Sequence, residues 1–265
     1  MTDWYVGTMG FGYRSWQSVF YPDKLPKAQQ LAYYAARYNA LEMDSTFYGT
    51  PKADVVARWG ETTPDGFVFC PKAPREITHD LRLGGAAEDV LALFVETMLT
   101  LGNKLGPILL QFPPDFAAAE ADALAAFLPR LPGAARFAVE LRHRSWWSDA
   151  TADLLRAHGV CWAAADYIYL PKEFRRTADF LYLRLLGRHG QFDDKSREAV
   201  DKTEELRAWR AKAAVHTEGD DPVDSIYAFF NDDYAGHAPA TANRMRAMLG
   251  WEVEEGPPQQ GRLFE

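Results

Sequence analysis

Cysteine is scarce in this 265-residue chain: only Cys70 and Cys161 occur, each inside an apolar run. Two are too few for a disulfide framework, so each is read as a small buried hydrophobe in a reducing compartment. Long apolar runs are missing as well. No stretch approaches about 18 unbroken apolar residues, and Met1-Thr2-Asp3-Trp4 lacks the basic and apolar regions of a secretory leader. A cytoplasmic protein with no membrane partner is expected. Positive charge is not in excess: 29 Lys and Arg stand against 37 Asp and Glu, a net charge of −8. A broad nucleic-acid footprint is therefore not expected, and a local basic site stays open. There is no Walker loop, no Gly-x-Ser-x-Gly elbow and no dinucleotide fingerprint in its strand-to-helix context, so nucleotide-cofactor redox chemistry is not expected either.

What the chain does have is 48% hydrophobic and 14% aromatic content, ample for a large core. Short β-like runs alternate with helical patterns from end to end, the signature of parallel βαβ units. The spacing predicts eight strands, at residues 5–9, 40–43, 67–70, 107–111, 136–141, 161–165, 180–185 and 225–230. Eight is the barrel number. Between them Leu31/Tyr34/Ala35/Tyr38, Leu91/Phe94/Val95/Met98, Leu124/Phe127/Leu128/Leu131 and Met245/Met248/Leu249 repeat at the spacing of a buried helix face. Residues 167–179, between strands six and seven, contain Pro171 and a charged run that leave no room for a crossover helix. The fold class expected is α/β: an irregular (β/α)8 TIM-type barrel with that one unit degenerate. It occupies residues 1–251 as one domain, and 252–265, with Gly256-Pro257-Pro258, form a flexible C-terminal tail.

In a barrel strand every second side chain points inward, and chemistry collects at the C-terminal rim. The inward sets read Val68, Cys70, Lys72; Ala138, Glu140, Arg142; Ala164, Asp166; and Tyr182, Arg184. Strand two offers Glu42 and Asp44, strand four Leu109 and Gln111, and strand eight Tyr227, Phe229 and Asn231. Most inward sets thus end on a polar residue, which marks a functional rim.

Several separated motifs carry a family resemblance: Gly7-Thr8-Met9-Gly10-Phe11-Gly12-Tyr13-Arg14-Ser15-Trp16, Leu41-Glu42-Met43-Asp44-Ser45-Thr46-Phe47-Tyr48, Ile77-Thr78-His79, Leu109-Leu110-Gln111-Phe112-Pro113-Pro114, Val139-Glu140-Leu141-Arg142-His143-Arg144-Ser145-Trp146, Arg188-His189-Gly190 and Phe229-Phe230-Asn231-Asp232. With these the chain resembles the YecE-like family, domain of unknown function seventy-two, over nearly its whole length. The resemblance implies a TIM-barrel-related fold and supplies no reaction. Met9, Phe11 and Met43-Asp44 depart from the Ser, Trp and Ile-Asn common in that family.

Three constellations carry chemistry. Glu140, Glu42, Lys72, His143 and Asp166 are the candidate catalytic residues, because acid–base work needs paired titratable groups with separated pKa values. The bland alternative is an ion-pair network that satisfies buried charge. His79, His143 and His189, with Glu140, would be the ligands of a divalent metal; no His-x-x-x-His or Cys-x-x-Cys spacing supports one, and no cofactor is expected. His237 also follows a strand. Arg142, Arg184, Arg188 and His189 form a candidate anion site beside Gly187 and Gly190. Gln111, Asn231, Tyr48, Trp16 and Trp146 complete the candidate substrate-binding set, the rings serving as stacking surfaces. The leading expectation is an enzyme, a hydrolase, lyase or isomerase, acting on a small anionic or polyhydroxylated molecule. A metal-dependent phosphodiester or DNA-repair-type nuclease and a noncatalytic ligand- or nucleic-acid-binding barrel are the alternatives, and oligomeric state stays open.

Overall fold

The computed structural model describes residues 2–254, so the expected tail lies, from residue 255 on, outside the described residues. Strands and helices alternate as the periodicity requires. The strands are β1 Asp3–Met9, β2 Ala40–Met43, β3 Val68–Pro71, β4 Ile108–Gln111, β5 Phe137–Glu140, β6 Cys161–Trp162, β7 Ala164–Asp166, β8 Phe180–Leu185 and β9 Ser225–Phe230. Between and after them run α1 Lys27–Ala35, α2 Ala53–Thr62, α3 Ala87–Met98, α4 Ala121–Phe127, α5 Asp149–Ala157, α6 Thr203–Ala214, α7 Asp232–Ala235 and α8 Ala238–Met248. Strands β2 to β9 are buried at every position, as expected of parallel strands covered on both faces.

All pairings are parallel, in a six-stranded sheet β3-β2-β1-β9-β8-β7 and a three-stranded sheet β4-β5-β6. At one margin Gly106 N donates to Phe69 O at 2.8 Å and Ala73 N to Leu109 O at 2.9 Å, tying β4 to β3. At the other, β6 and β7 are consecutive. Ala163 alone separates them and donates to Val139 O at 2.9 Å, so a single extended run leaves β5 and joins β8. The sixth expected strand is thus shared between the two sheets. Residues 167–179 contain no helix, and α6 follows the long segment after β8.

Two large apolar clusters cover most of the strand faces, and a small third one gathers Leu181, Ala213, Val223 and Ile226. The inner one gathers Met9, Ala40, Val68, Cys70, Leu109, Ala138, Cys161, Ala163, Ala165, Phe180, Tyr182, Tyr227 and Phe229. The outer one joins the opposite faces, such as Leu41, Phe69, Leu110, Val139 and Leu183, to Leu31, Tyr34, Leu91, Phe94, Leu124, Leu206, Trp209 and Met245 on the helices. Every helix stripe read from the sequence packs at least partly against this layer. Both cysteines are free and buried in the inner cluster; burial pushes the Cys161 thiol up to about 12. Helix ends follow local chemistry. Ser148 accepts from Thr151 N at 3.2 Å at the start of α5, Gly159 takes φ +62° just after it, and Pro239 sits in the first turn of α8. Among the described residues no helix is long and apolar enough to cross a membrane.

Candidate active site

Two residues beyond the last inner apolar position, on the same faces, stand Glu42, Lys72, Gln111, Glu140, Arg184 and Asn231, contributed by six strands or strand ends. They form a polar tier at the carboxyl ends of the strands. Above it opens a cleft of about 500 Å³ lined by Tyr13, Asp44, Phe47, Tyr48, Lys72, Gln111, Arg142, Tyr167, Arg184, His189, Lys195, Asn231 and Asp233, among others.

Arg184 is the hub of the floor. Its Nε and Nη2 reach Glu42 Oε1 at 3.1 and 2.7 Å, and its Nη1 reaches Glu140 Oε2 at 2.5 Å. Tyr182 donates to Glu42 Oε2 at 2.8 Å, and Arg142 Nε to Glu140 Oε1 at 2.5 Å. Both glutamates are wholly buried and Arg184 is 2% exposed, so these are desolvated, charge-assisted bonds. The two carboxyls are pushed apart. Burial raises the pKa of Glu42, and the shared Arg184 offsets it only partly. Burial acts on Glu140 in the same direction, but Arg184 and Arg142 together outweigh it and hold that carboxyl down at about 2. Every glutamate oxygen on the floor is occupied.

Lys72 and Asp44 differ from this floor. The Lys72 ammonium stands 3.9 Å from Asp44 Oδ1 and 3.9 Å above the centre of the Phe47 ring, and neither contact is a hydrogen bond. Burial and then the Arg184 charge lower its pKa. Asp44 Oδ1 is itself buried without a hydrogen-bond partner, 3.8 Å from Arg184 Nη2. Local structure fixes both groups: Asp44 opens the 3-10 turn Asp44–Tyr48, and the Thr46 hydroxyl lies 2.6 Å from both the Met43 and the Lys72 carbonyls.

The opposite wall is the segment after β8, fastened to Asp233. Gly190 N donates to Asp233 Oδ2 at 3.1 Å, Lys195 Nζ lies 2.7 Å from Oδ1, and His189 Nδ1 lies 3.5 Å from Oδ2. Asn231 Oδ1 accepts from Asp233 N at 2.9 Å and so caps α7. Gly187 permits the close approach: at φ +66°, a Cβ there would lie 1.9 Å from Asp233 O. Gly187→Ala should therefore lift this segment from α7 at a cost of about 1–3 kcal/mol. Hydrogen exchange at the Gly190 amide should accelerate while β1 and β9 stay protected; unchanged exchange would show that the segment is held otherwise.

Several expected site residues lie elsewhere. Asp166 turns outward, not inward: its Oδ2 accepts from Trp209 Nε1 at 2.8 Å and Tyr234 Oη at 2.9 Å, and its Oδ1 lies 2.7 Å from Lys172 Nζ. The inner residues of that run are Cys161, Ala163 and Ala165, so the expected Ala164/Asp166 face was one residue out of register. His143 caps its own 3-10 turn, its Nδ1 accepting from Ser145 N at 3.2 Å, and does not line the cleft. Trp16 is fully buried with Nε1 3.1 Å from Asp232 Oδ1, and Trp146 is buried with Nε1 donating to Phe116 O at 2.7 Å; neither is a stacking surface. Arg188 is exposed and outside the cleft lining, while Tyr48, 82% exposed, stands at its mouth. The residues named as ligands in case a divalent metal is required are not brought together. Glu140 is held by two arginines, His79 Nδ1 lies 2.8 Å from Thr78 Oγ1, and His189 rests near Asp233. His237 is turned to Lys195 O at 2.9 Å. Among the described residues no three His, Cys, Asp or Glu side chains gather as a metal site. Lys195, Asp233, Tyr13 and Tyr167 line the cleft without having been assigned a role from the sequence. A polar residue directly after the Asn231-Asp232 motif was the available signal for Asp233.

This fold and cleft have known counterparts. The family model described as protein of unknown function DUF72 matches residues 5–262, and the chain belongs to that family. It is 38% identical to the YecE protein of Escherichia coli K12 over 115 residues, which spans 43% of this chain and 42% of that protein. It is 25% identical to the YunF protein of Bacillus subtilis over 98% of this chain and 99% of that one. Among solved structures, a DUF72 family protein of Thermotoga maritima superposes with a TM-score of 0.79 at 29% identity, covering 94% of this chain and 100% of the other. SacUVDE shares the fold alone, with a TM-score of 0.60 at 9% identity over 94% of this chain and 98% of its own. The architecture is a mixed α/β fold with parallel sheets, related to those of the TIM-barrel type.

Proposed function

We propose that the two sheets are arcs of one irregular eight-stranded barrel, and that the cleft at its carboxyl rim is the active site of an enzyme acting on a small anionic or polyhydroxylated substrate. The chemistry is acid–base, in the class of hydrolases, lyases and isomerases. The observation that carries this reading is the contrast within the cleft: Glu42 and Glu140 are saturated by arginine and tyrosine donors, whereas Lys72 and Asp44 face each other at 3.9 Å with hydrogen-bonding capacity unspent. Saturated groups position; unsaturated ones react. Arg142 spends Nε on Glu140 and leaves its Nη nitrogens for a ligand carboxylate, phosphate or hydroxyl. Lys72, with its pKa lowered, is the proton-accepting group, and Asp44 is placed to exchange protons with it. The buried glutamates and Arg184 act as the positioning floor. The metal-dependent nuclease alternative gains no support from the donor arrangement, in which Glu140 is taken up by two arginines.

Isothermal titration with phosphate, sulfate, citrate and pyruvate tests this reading. At least one of these anions should bind, and Arg142→Ala and Lys72→Met should each weaken it by about tenfold or more, the equivalent of roughly 1.4 kcal/mol. Affinity for every anion that survives both substitutions would place the anion site outside the cleft.

A further inference from the structure

Lys72 is more than a proton acceptor. We infer that it is a nucleophile that forms an iminium bond with a substrate carbonyl, and that the substrate is a 2-oxo carboxylic acid whose carboxylate is held by Arg142. The inference rests on the reading of the cleft as an anion-binding acid–base site and deepens it. Three features of the geometry converge on the Lys72 amine. It lies at the strand end on the cleft wall, and its side chain is only 10% exposed, so bulk water has little access to a bond formed there. It has no short ion pair to hold it in the charged form, unlike Lys195, the other cleft lysine, which sits 2.7 Å from Asp233. It also rests over the Phe47 ring, a surface that favours a cation, and an iminium nitrogen is as cationic as the ammonium it replaces. The lowered pKa of Lys72 is in keeping with this arrangement, since the neutral amine is the attacking form.

The step balances without an oxidant or reductant. The Lys72 ammonium gives one proton to Asp44 Oδ1, the lone pair of the neutral amine adds to the carbonyl carbon, and Asp44 passes that proton to the former carbonyl oxygen. Nitrogen loses a proton to Asp44 Oδ1, the buried oxygen that lacks a partner. Asp44 returns that proton to the carbinolamine hydroxyl. The carbon–oxygen bond breaks, one water leaves and the carbon–nitrogen double bond forms. The iminium then withdraws electrons from the adjacent carbon, which suits a lyase or isomerase that makes or breaks a bond there. Arg142, which lines the same cleft, supplies a fork for a planar carboxylate.

Trapping tests the bond directly. The full chain is incubated with pyruvate, and separately with glyoxylate, in the presence of sodium cyanoborohydride, and the modified lysines are located by peptide mass spectrometry. Lys72 should be labelled at least about tenfold faster than the exposed Lys24 and Lys52, because a carboxylate held by Arg142 keeps the carbonyl within the cleft that Lys72 lines. Excess sulfate, which competes for Arg142 and has no carbonyl, should slow that labelling and leave Lys24 unaffected. Lys72→Arg, checked for a native urea transition, should lose the fast, sulfate-sensitive label. Label confined to exposed lysines, in a protein that binds pyruvate through Arg142, would overturn the iminium and leave the acid–base reading standing. Failure of the wild-type protein to bind any of the anions would overturn both.

Discussion

Arg184→Met should cost about 3–5 kcal/mol of stability, read from urea denaturation, because it strands two buried carboxylates that one guanidinium now neutralises. Glu42 and Glu140 are fully buried, and Arg184 contacts both at distances between 2.5 and 3.1 Å. With the guanidinium gone, Glu42 keeps only the Tyr182 hydroxyl and Glu140 only Arg142. A surface ion pair removed in the same way costs about 0–1 kcal/mol. Arg207→Ala, which breaks an exposed pair with Glu204 on α6, is the matched control. A combined Arg184→Met, Glu42→Gln, Glu140→Gln protein should recover part of the loss, because the unpaired charges leave with the guanidinium. Equal losses at Arg184 and Arg207 would mean that water reaches the floor.

This network was visible in the sequence as a pattern and hidden as a set of contacts. Glu42, Lys72, Gln111, Glu140, Arg184 and Asn231 all lie two residues past an inner apolar residue, and a strand's period of two is enough to place them on one face. Period two fails where both faces carry similar residues. In Ala163-Ala164-Ala165-Asp166 small side chains alternate with small side chains, and the terminal Asp drew the assignment inward although Trp209 and Tyr234 satisfy it from the helix side. Loop aromatics are illegible for a different reason. Trp16 is buried by a partner 216 positions away, Asp232, and Trp146 by a carbonyl 30 positions away, so their direction is a tertiary fact with no local signal. His143 reversed the expectation at shortest range, since a side chain two residues from a serine amide closes its own turn more readily than it reaches across a cleft. Asp44 and Lys72 lay in plain sight. What sequence could not show is that they, rather than the glutamates, are left without hydrogen bonds.

Acid should unfold this protein partly through Glu140, and the sign follows from the direction of its shift. The carboxyl is held at about 2 in the fold against an ordinary 4.5. A lowered folded-state pKa contributes stability that is fully present above the ordinary value and is lost as the pH falls from about 4.5 towards 2. That contribution is on the order of 3 kcal/mol. Glu42 acts in the opposite sense: its raised pKa means that the folded state takes up a proton more readily than the unfolded chain. Its contribution is present at low pH and lost as the pH rises through its folded value, so it cannot account for a loss on acidification. The difference between wild type and Glu140→Gln isolates the term from the exposed carboxylates, which titrate alike in both. Urea midpoints measured from pH 7 to pH 3 should show Glu140→Gln less stable at neutral pH, with the two curves converging below about pH 4.5. Parallel curves across that range would mean that Glu140 titrates alike in the folded and unfolded chain, and the arginines of the floor would then be neutralised by Glu42 and Asp44 instead.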